Sequence, residues 1–242
     1  MSKIKLLDCT LRDGGFNNEW KFGKEVILNI IERLNLAGID FIEIGYLRDS
    51  VRYDINNSQF SNIKDAQNML SKIKIDKKIV LILDYGSCDI NHIYPASNTQ
   101  IYGLRLIFKK SEVQNAFKFA KQLQNLGYKV FLQPVNIMGF STQELLKVIQ
   151  EASEINPETL CIVDTYGFMD RHDLLEKFYL LDGNLNKNIK IGYHSHNNLQ
   201  LAYSNCVELI EHNTQREIIL DCSVFGMGKG AGNTHTELLA FI

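Results

Sequence analysis

Along the chain, short runs of β-branched and other apolar residues alternate with longer stretches in which apolar residues recur three and four positions apart. The short runs read as buried strands and the longer ones as amphipathic helices, and their alternation predicts parallel strands joined by crossover helices. Predicted strands cover residues 4–9, 40–45, 78–84, 103–108, 129–133, 159–164, 190–194 and 218–223, and predicted helices cover 24–36, 63–73, 112–126, 142–155, 170–181 and 198–212. The third connection, residues 88–100, has the weakest helical pattern. Gly38 and Gly127 each follow a helical run and precede a strand, where a left-handed helix end suits glycine. Eight such strands predict an α/β fold of the closed (β/α)8 type, one domain over residues 1–242. A doubly wound open sheet would usually carry a glycine-rich nucleotide turn after its first strand, whereas this chain has Asp8-Cys9-Thr10-Leu11-Arg12-Asp13-Gly14-Gly15. The last helical pattern, residues 237–242, is only a turn or two long. The expectation is therefore a barrel truncated within its eighth helix, the N-terminal part of a longer protein.

Composition narrows the partners. Of the 242 residues 45% are hydrophobic and 22% charged, an ordinary globular balance. A formal net charge of −2 with scattered Lys and Arg offers no basic face for nucleic acid or an anionic membrane, so the expected partner is a small molecule. Five widely spaced cysteines without a C-x-x-C pair suggest neither a disulfide framework nor a structural zinc site, which fits a reducing cytoplasm. No apolar run approaches the ~18 residues of a membrane span, and the N-terminal IKLLDC is strand-like rather than a signal sequence.

In a barrel of this kind chemistry gathers at the C-terminal strand ends. Here those ends carry Asp8 and Asp13, Glu43, Asp84, Asp164, His194 and His196, and Asp221. Carboxylates this close to a core are costly unless paired, hydrogen-bonded or bound to a cation. His194 and His196, at i and i+2, project to one face of a strand with Cα atoms roughly 6.6 Å apart, within reach of one ion. Barrel closure brings the first unit beside the seventh and eighth strands, so Asp13 can join them. Two imidazoles and a carboxylate leave coordination positions open for a Lewis-acid centre, and Asn233 can add a neutral oxygen. Arg12 cannot lose its charge and suits a substrate carboxylate or an enolate oxygen, unless a neighbouring acid claims it. Arg105, if it points inward, must be paired, and Glu43 or Asp84 can do that. Residues 226–233 form a glycine-rich turn at the start of the last helix, where backbone N–H groups can face an anion. Lys109, Lys110 and Lys229 all lie outside the sixth strand, where barrel aldolases of the Schiff-base type carry their lysine, and read as solvated charges.

Taken together, Asp8 to Gly15, Ile42-Glu43-Ile44-Gly45, Asp164-Thr165-Tyr166-Gly167, His194-Ser195-His196-Asn197-Asn198-Leu199 and the 226–233 turn resemble the metal-dependent pyruvate aldolase and acyl-CoA lyase superfamily nearly end to end. That superfamily includes 4-hydroxy-2-oxovalerate aldolase, 3-hydroxy-3-methylglutaryl-CoA lyase and 2-isopropylmalate synthase. The resemblance implies a TIM barrel in which Asp13, His194 and His196 bind Mn2+ or Mg2+, with Zn2+ or Co2+ as alternatives, Asn233 as a further ligand, and Arg12 stabilising an enolate. Glu43, Tyr46 or a metal-bound water is the expected base, and Arg105, Thr165, Gly228 and Gly230 are the expected substrate contacts. Two departures stand out. Phe16 holds the place where the hydroxyoxovalerate aldolases carry a histidine base, and the 226–233 turn lacks the cysteine of the acyl-CoA lyases. The expected reaction joins or splits a carbon–carbon bond through the enolate of pyruvate or a related 2-oxo acid, with an aldehyde or acyl partner, and the same resemblance implies a homodimer. A Claisen-type acyl-CoA condensation and a non-catalytic metal- or ligand-binding barrel remain the alternatives.

Overall fold

The structure is a computed structural model that describes residues 4–212 and 214–242. Its strands are β1 (Ile4–Asp8), β2 (Phe41–Leu47), β3 (Gln59–Phe60), β4 (Lys78–Asp84), β5 (Ile101–Phe108), β6 (Lys129–Pro134), β7 (Thr159–Asp164), β8 (Lys190–Ser195) and β9 (Ile218–Cys222). Eight of them close in the order β1-β9-β8-β7-β6-β5-β4-β2, with β2 paired back to β1 through Leu7 to Phe41 and Asp8 to Ile42, and every pairing is parallel. The two-residue β3 hangs on the outer end of β2 and was not foreseen in the sequence. The helices are α1 (Thr10–Asp13), α2 (Lys24–Leu36), α3 (Ile63–Leu70), α4 (Val113–Asn125), α5 (Thr142–Ile155), α6 (Arg171–Asn184), α7 (Ala202–Glu211) and α8 (Thr236–Leu239). The weak third connection contains no α-helix, only 3-10 turns at Ile90–His92 and Ala96–Asn98. Among the described residues no helix is long and apolar enough to cross a membrane.

Local chemistry explains the boundaries. Ser141 and Glu144 form a reciprocal capping box that starts α5, and Asp170 and Asp173 do the same for α6. Gly38 and Gly127, at φ of 84° and 92°, end the runs before β2 and β6 as left-handed termini. The strands are buried on both faces, and the large core lies between barrel and helices, with Ile31, Leu81, Leu106, Phe178 and Ile191 among its members. A second, small cluster of Leu7, Cys9, Phe41, Val80, Phe131 and Ile219 fills the barrel interior. Because side chains two residues apart share a face of a strand, the next interior layer toward the C-terminal ends follows directly. It contains Glu43 after Phe41, Gln133 after Phe131 and Asp221 after Ile219, so the barrel is apolar below and charged above.

Candidate metal centre and active-site cavity

The turn that carries Arg12 and Asp13 is clamped from several sides. Asp8 Oδ1 accepts a hydrogen bond from the Thr10 amide at 2.9 Å, and Asp8 Oδ2 accepts one from Thr236 Oγ1 at 2.5 Å. Trp20 Nε1 donates to the Arg12 carbonyl at 2.7 Å, Ser58 Oγ donates to the Leu11 carbonyl at 2.6 Å, and the Val224 amide donates to Thr10 Oγ1 at 2.8 Å. Burial pushes the Asp8 carboxyl up to about 6, and its two oxygens hold Thr10 and Thr236, so this strand-end acid organises the turn. The phase of β2 is set by Gly45, whose φ of 150° accompanies a register shift between Glu43 and Tyr46. A Cβ there would lie 1.9 Å from the Ser58 carbonyl oxygen. The irregularity lets Glu43 point into the barrel while Tyr46 still reaches the cavity at its mouth.

Asp13, His194 and His196 offer donor atoms that all lie within 4.8 Å of one another, and all three residues are buried. The imidazoles are edge-to-face with centroids 5.0 Å apart. Burial, then the neighbouring His194, lowers the pKa of His196 to about 4, leaving a neutral ring with a lone pair to give. Burial alone would raise the Asp13 carboxyl, but Arg12 and the two histidines outweigh it and hold the group well below the usual carboxylate range. Asn233 Nδ2 donates to Asp13 Oδ2 at 2.7 Å and to the Met227 carbonyl at 3.0 Å, whereas its buried Oδ1 has no hydrogen-bond partner. An unsatisfied buried oxygen costs about 1–3 kcal/mol. Beside a carboxylate and two imidazoles, rotation of this amide would turn that oxygen into a fourth donor. The set fits a divalent cation.

A chain of buried charges runs behind the centre. Arg12 bonds Asp13 through Nη1 and Glu43 Oε2 through Nε, the latter at 2.7 Å. Glu43 Oε1 accepts from Arg105 Nη1 at 2.9 Å, and Arg105 bonds Asp221 through Nη2. Asp221 Oδ2 stands 2.9 Å from His194 Nδ1, an ion-pair distance in which the ring N–H is not aligned for a hydrogen bond. The chain thus leaves the metal centre at Asp13 and returns at His194. Glu43 alone between two guanidiniums shows why neither arginine is isolated, since removing one member of such a buried set typically costs about 3–5 kcal/mol.

The barrel mouth holds a cavity of about 270 Å³ lined by Arg12, Asp13, His194 and His196 on one side and by Tyr46, Arg48, Asp84, Gln133, Thr165 and Lys229 around it. Thr165 therefore faces the cavity, although its Oγ1 also accepts from the Asn136 amide at 2.7 Å. Arg105 is sealed beneath it by Glu43 and Asp221, of which sequence reasoning named only the first. Gly228 lies against the metal centre. Its amide donates to Asn17 Oδ1 at 3.0 Å, and a Cβ would lie 2.3 Å from Asn233 Nδ2 and 2.5 Å from Asp13 Oδ2. The neighbouring amides are likewise committed within the protein, Lys229 to Asp13 and Ala231 to Asn198. Gly230, at φ 64°, shapes the turn and is not among the cavity-lining residues. Phe16 packs edge-on against Trp20, with ring centroids 4.9 Å apart, as part of an aromatic wall continued by Tyr46. Lys229, read as a solvated charge, lines the cavity, and Arg48 and Gln133 join it unforeseen. Position at a strand end was the signal available for Arg48 and Gln133, but Arg and Gln are common on solvated loops.

The HMGL-like family model matches residues 3–242. A 4-hydroxy-2-oxovalerate aldolase from Geobacillus genomosp. 3 is 29% identical over 247 residues, covering 99% of this chain and 70% of its own length. Among solved structures, the N-terminal domain of a protein from Bacteroides vulgatus ascribed to the aldolases superposes with a TM-score of 0.78 at 23% identity, covering 98% of this chain and 78% of that one. The Bacillus subtilis HMG-CoA lyase does so with a TM-score of 0.73 at 17% identity, covering 99% of this chain and 84% of its own. The structural likenesses speak to the barrel, while the family match extends over every strand and over Asp13, His194 and His196. This chain belongs to the HMGL-like family of metal-dependent carbon–carbon lyases.

Proposed function

We propose that this protein is an aldolase that cleaves or forms a carbon–carbon bond next to the enolate of pyruvate or a closely related 2-oxo acid. The observation that carries the reading is the convergence of Asp13, His194 and His196 on one point, with Arg12 anchored to Asp13 at the wall of the same cavity. Asp13, His194, His196 and, after rotation, Asn233 would hold Mn2+ or Mg2+, with Zn2+ or Co2+ compatible with the same donors. A divalent ion supplies Lewis acidity toward the keto oxygen of the 2-oxo acid.

The remaining tasks fall to the chain. Arg12 spends Nε on Glu43 and Nη1 on Asp13, which leaves Nη2 without a protein partner among the described residues. A guanidinium fixed at two corners costs little reorganisation when charge develops on the enolate oxygen. Glu43 is fully buried with an oxygen on each arginine, which supports a positioning role for it over that of a base. Tyr46 faces the cavity, and burial raises its phenol to about 12, so at neutral pH it is protonated and suited to donate toward the enolate carbon. Phe16 lines the same cavity beside it.

The test is exchange of the C3 protons of pyruvate with deuterated water, followed by NMR in the presence of Mn2+ or Mg2+. Exchange that requires the ion and is lost in His194→Ala supports the enolate reading. Metal-loaded protein that leaves every 2-oxo acid unexchanged would overturn it in favour of a binding barrel.

A further inference from the structure

Arg48 and Asp84 face the cavity and have no part in holding a metal or an enolate. The Arg48 guanidinium is fixed on two sides. Nη2 donates to Asp84 Oδ2 at 2.9 Å, and its carbon sits 4.2 Å from the Tyr46 ring centroid and 6.0 Å from that of Trp20. Nε and Nη1 have no protein partner among the described residues, and the side chain keeps 30% of its exposure. Lys229, on another part of the wall, makes no ion pair among the described residues, and its Nζ lies 5.7 Å from the Phe16 centroid. The two cations are linked through ring contacts of Phe16 with Trp20 and of Trp20 with Tyr46, of which Phe16 and Tyr46 line the cavity.

An exposed Arg–Asp pair contributes only about 0–1 kcal/mol to stability, so folding alone gives little reason to hold an arginine in one plane at this place. A planar fork that is already immobilised, with free donors turned to an active-site cavity, is the arrangement that grips a carboxylate or phosphate. A small neutral aldehyde would need neither cation. We propose that this wall is the subsite for the second reactant, and that this reactant is an aldehyde bearing a carboxylate or a phosphate. Arg48 binds its anionic end, Lys229 adds positive potential, and the aromatic wall receives its carbon chain. Asp84 takes one hydrogen of Nη2, the nitrogen common to both paired-donor edges of the guanidinium, and so directs the ligand to the edge left open. This assignment rests on the aldolase reading of the site and names the class of acceptor within it.

The experiment uses the metal-loaded protein with pyruvate and three aldehydes, butyraldehyde, succinic semialdehyde and glyceraldehyde 3-phosphate, with condensation followed by NMR. A charge-assisted hydrogen-bonded contact predicts that one anionic aldehyde exceeds butyraldehyde in kcat/KM by about tenfold or more. The ratio is expected to fall to within about twofold in Arg48→Gln and to be kept in part by Arg48→Lys, which retains charge but loses the fork. Which anionic aldehyde leads separates carboxylate from phosphate recognition. Calorimetric binding of succinate and of inorganic phosphate to wild type and Arg48→Gln supplies a readout that does not depend on turnover. Pyruvate exchange without any anionic preference, or a preference that survives Arg48→Gln, overturns the subsite while leaving the aldolase reading intact. If exchange itself fails, the aldolase reading falls, and binding of both anions unchanged by Arg48→Gln, or absent from wild type, then overturns the subsite as well.

Discussion

His196 shows how much a single position depends on its neighbours. In the unfolded chain its imidazole titrates near 6.5, and in the barrel burial and His194 bring it to about 4. Between these values the unfolded state takes up a proton that the folded state refuses, so stability falls as pH falls. Asp13, whose folded pKa is depressed, adds a further loss below the ordinary carboxylate range. Urea unfolding in the presence of EDTA is therefore expected to show metal-free stability declining from pH 6.5 to pH 4 by roughly 3 kcal/mol more in wild type than in His196→Gln, a comparison in which the opposite contribution of the raised Asp8 carboxyl cancels. Profiles of wild type and His196→Gln that run parallel over that interval would mean that the ring is solvated in the folded protein.

At the scale of elements, two glycines make opposite demands. Gly45 sits in the irregularity of β2, where the Ser58 backbone leaves no room for a side chain and the φ of 150° is one that residues with a side chain rarely adopt. Gly228 lies in the turn before α8, where a methyl group would meet the side chains of Asn233 and Asp13 rather than backbone. Gly45→Ala is expected to destabilise the protein by more than about 3 kcal/mol in thermal or urea unfolding. Gly228→Ala is expected to lose less stability but to weaken Mn2+ binding by about 10- to 100-fold, as displaced ligand supports usually do. Equal effects of the two changes on stability and on calorimetric Mn2+ affinity would contradict this division of labour.

For the molecule as a whole, the candidate metal donors come from distant parts of the chain. Asp13 follows β1, His194 and His196 belong to the end of β8, and Asn233 lies beyond β9, so an ion bound among them ties together the strands on either side of barrel closure. An ion that binds only the folded form should stabilise it by about 2.7 kcal/mol at a hundredfold excess over its Kd. Scanning calorimetry is expected to show Tm rising with Mn2+ concentration in wild type and not in a variant carrying both His194→Ala and His196→Ala. A rise that persists in that double variant would place the ion elsewhere.

The alternation of buried runs and amphipathic stretches by itself determined the eight parallel strands, because a strand buried on both faces and a helix buried on one leave different periods in the order of residues. The same order placed Asp13, His194 and His196 together, since barrel closure is implied by the strand count and brings the first unit beside the last. Other features depended on three dimensions. The third connection and β3 have no strong period, and only packing decides what short, irregular backbone does. By position alone Glu43 suits either a base or a support, and only the fold shows its oxygens meeting Arg12 and Arg105, while Asp221 becomes the second partner of Arg105 only through the interior layer of the barrel. Arg48 and Lys229 look like solvated charges in one dimension. Only the folded chain brings their cations around the same cavity as the metal centre, because the direction of a side chain at a strand end or turn is set by loop geometry that local residue order does not specify.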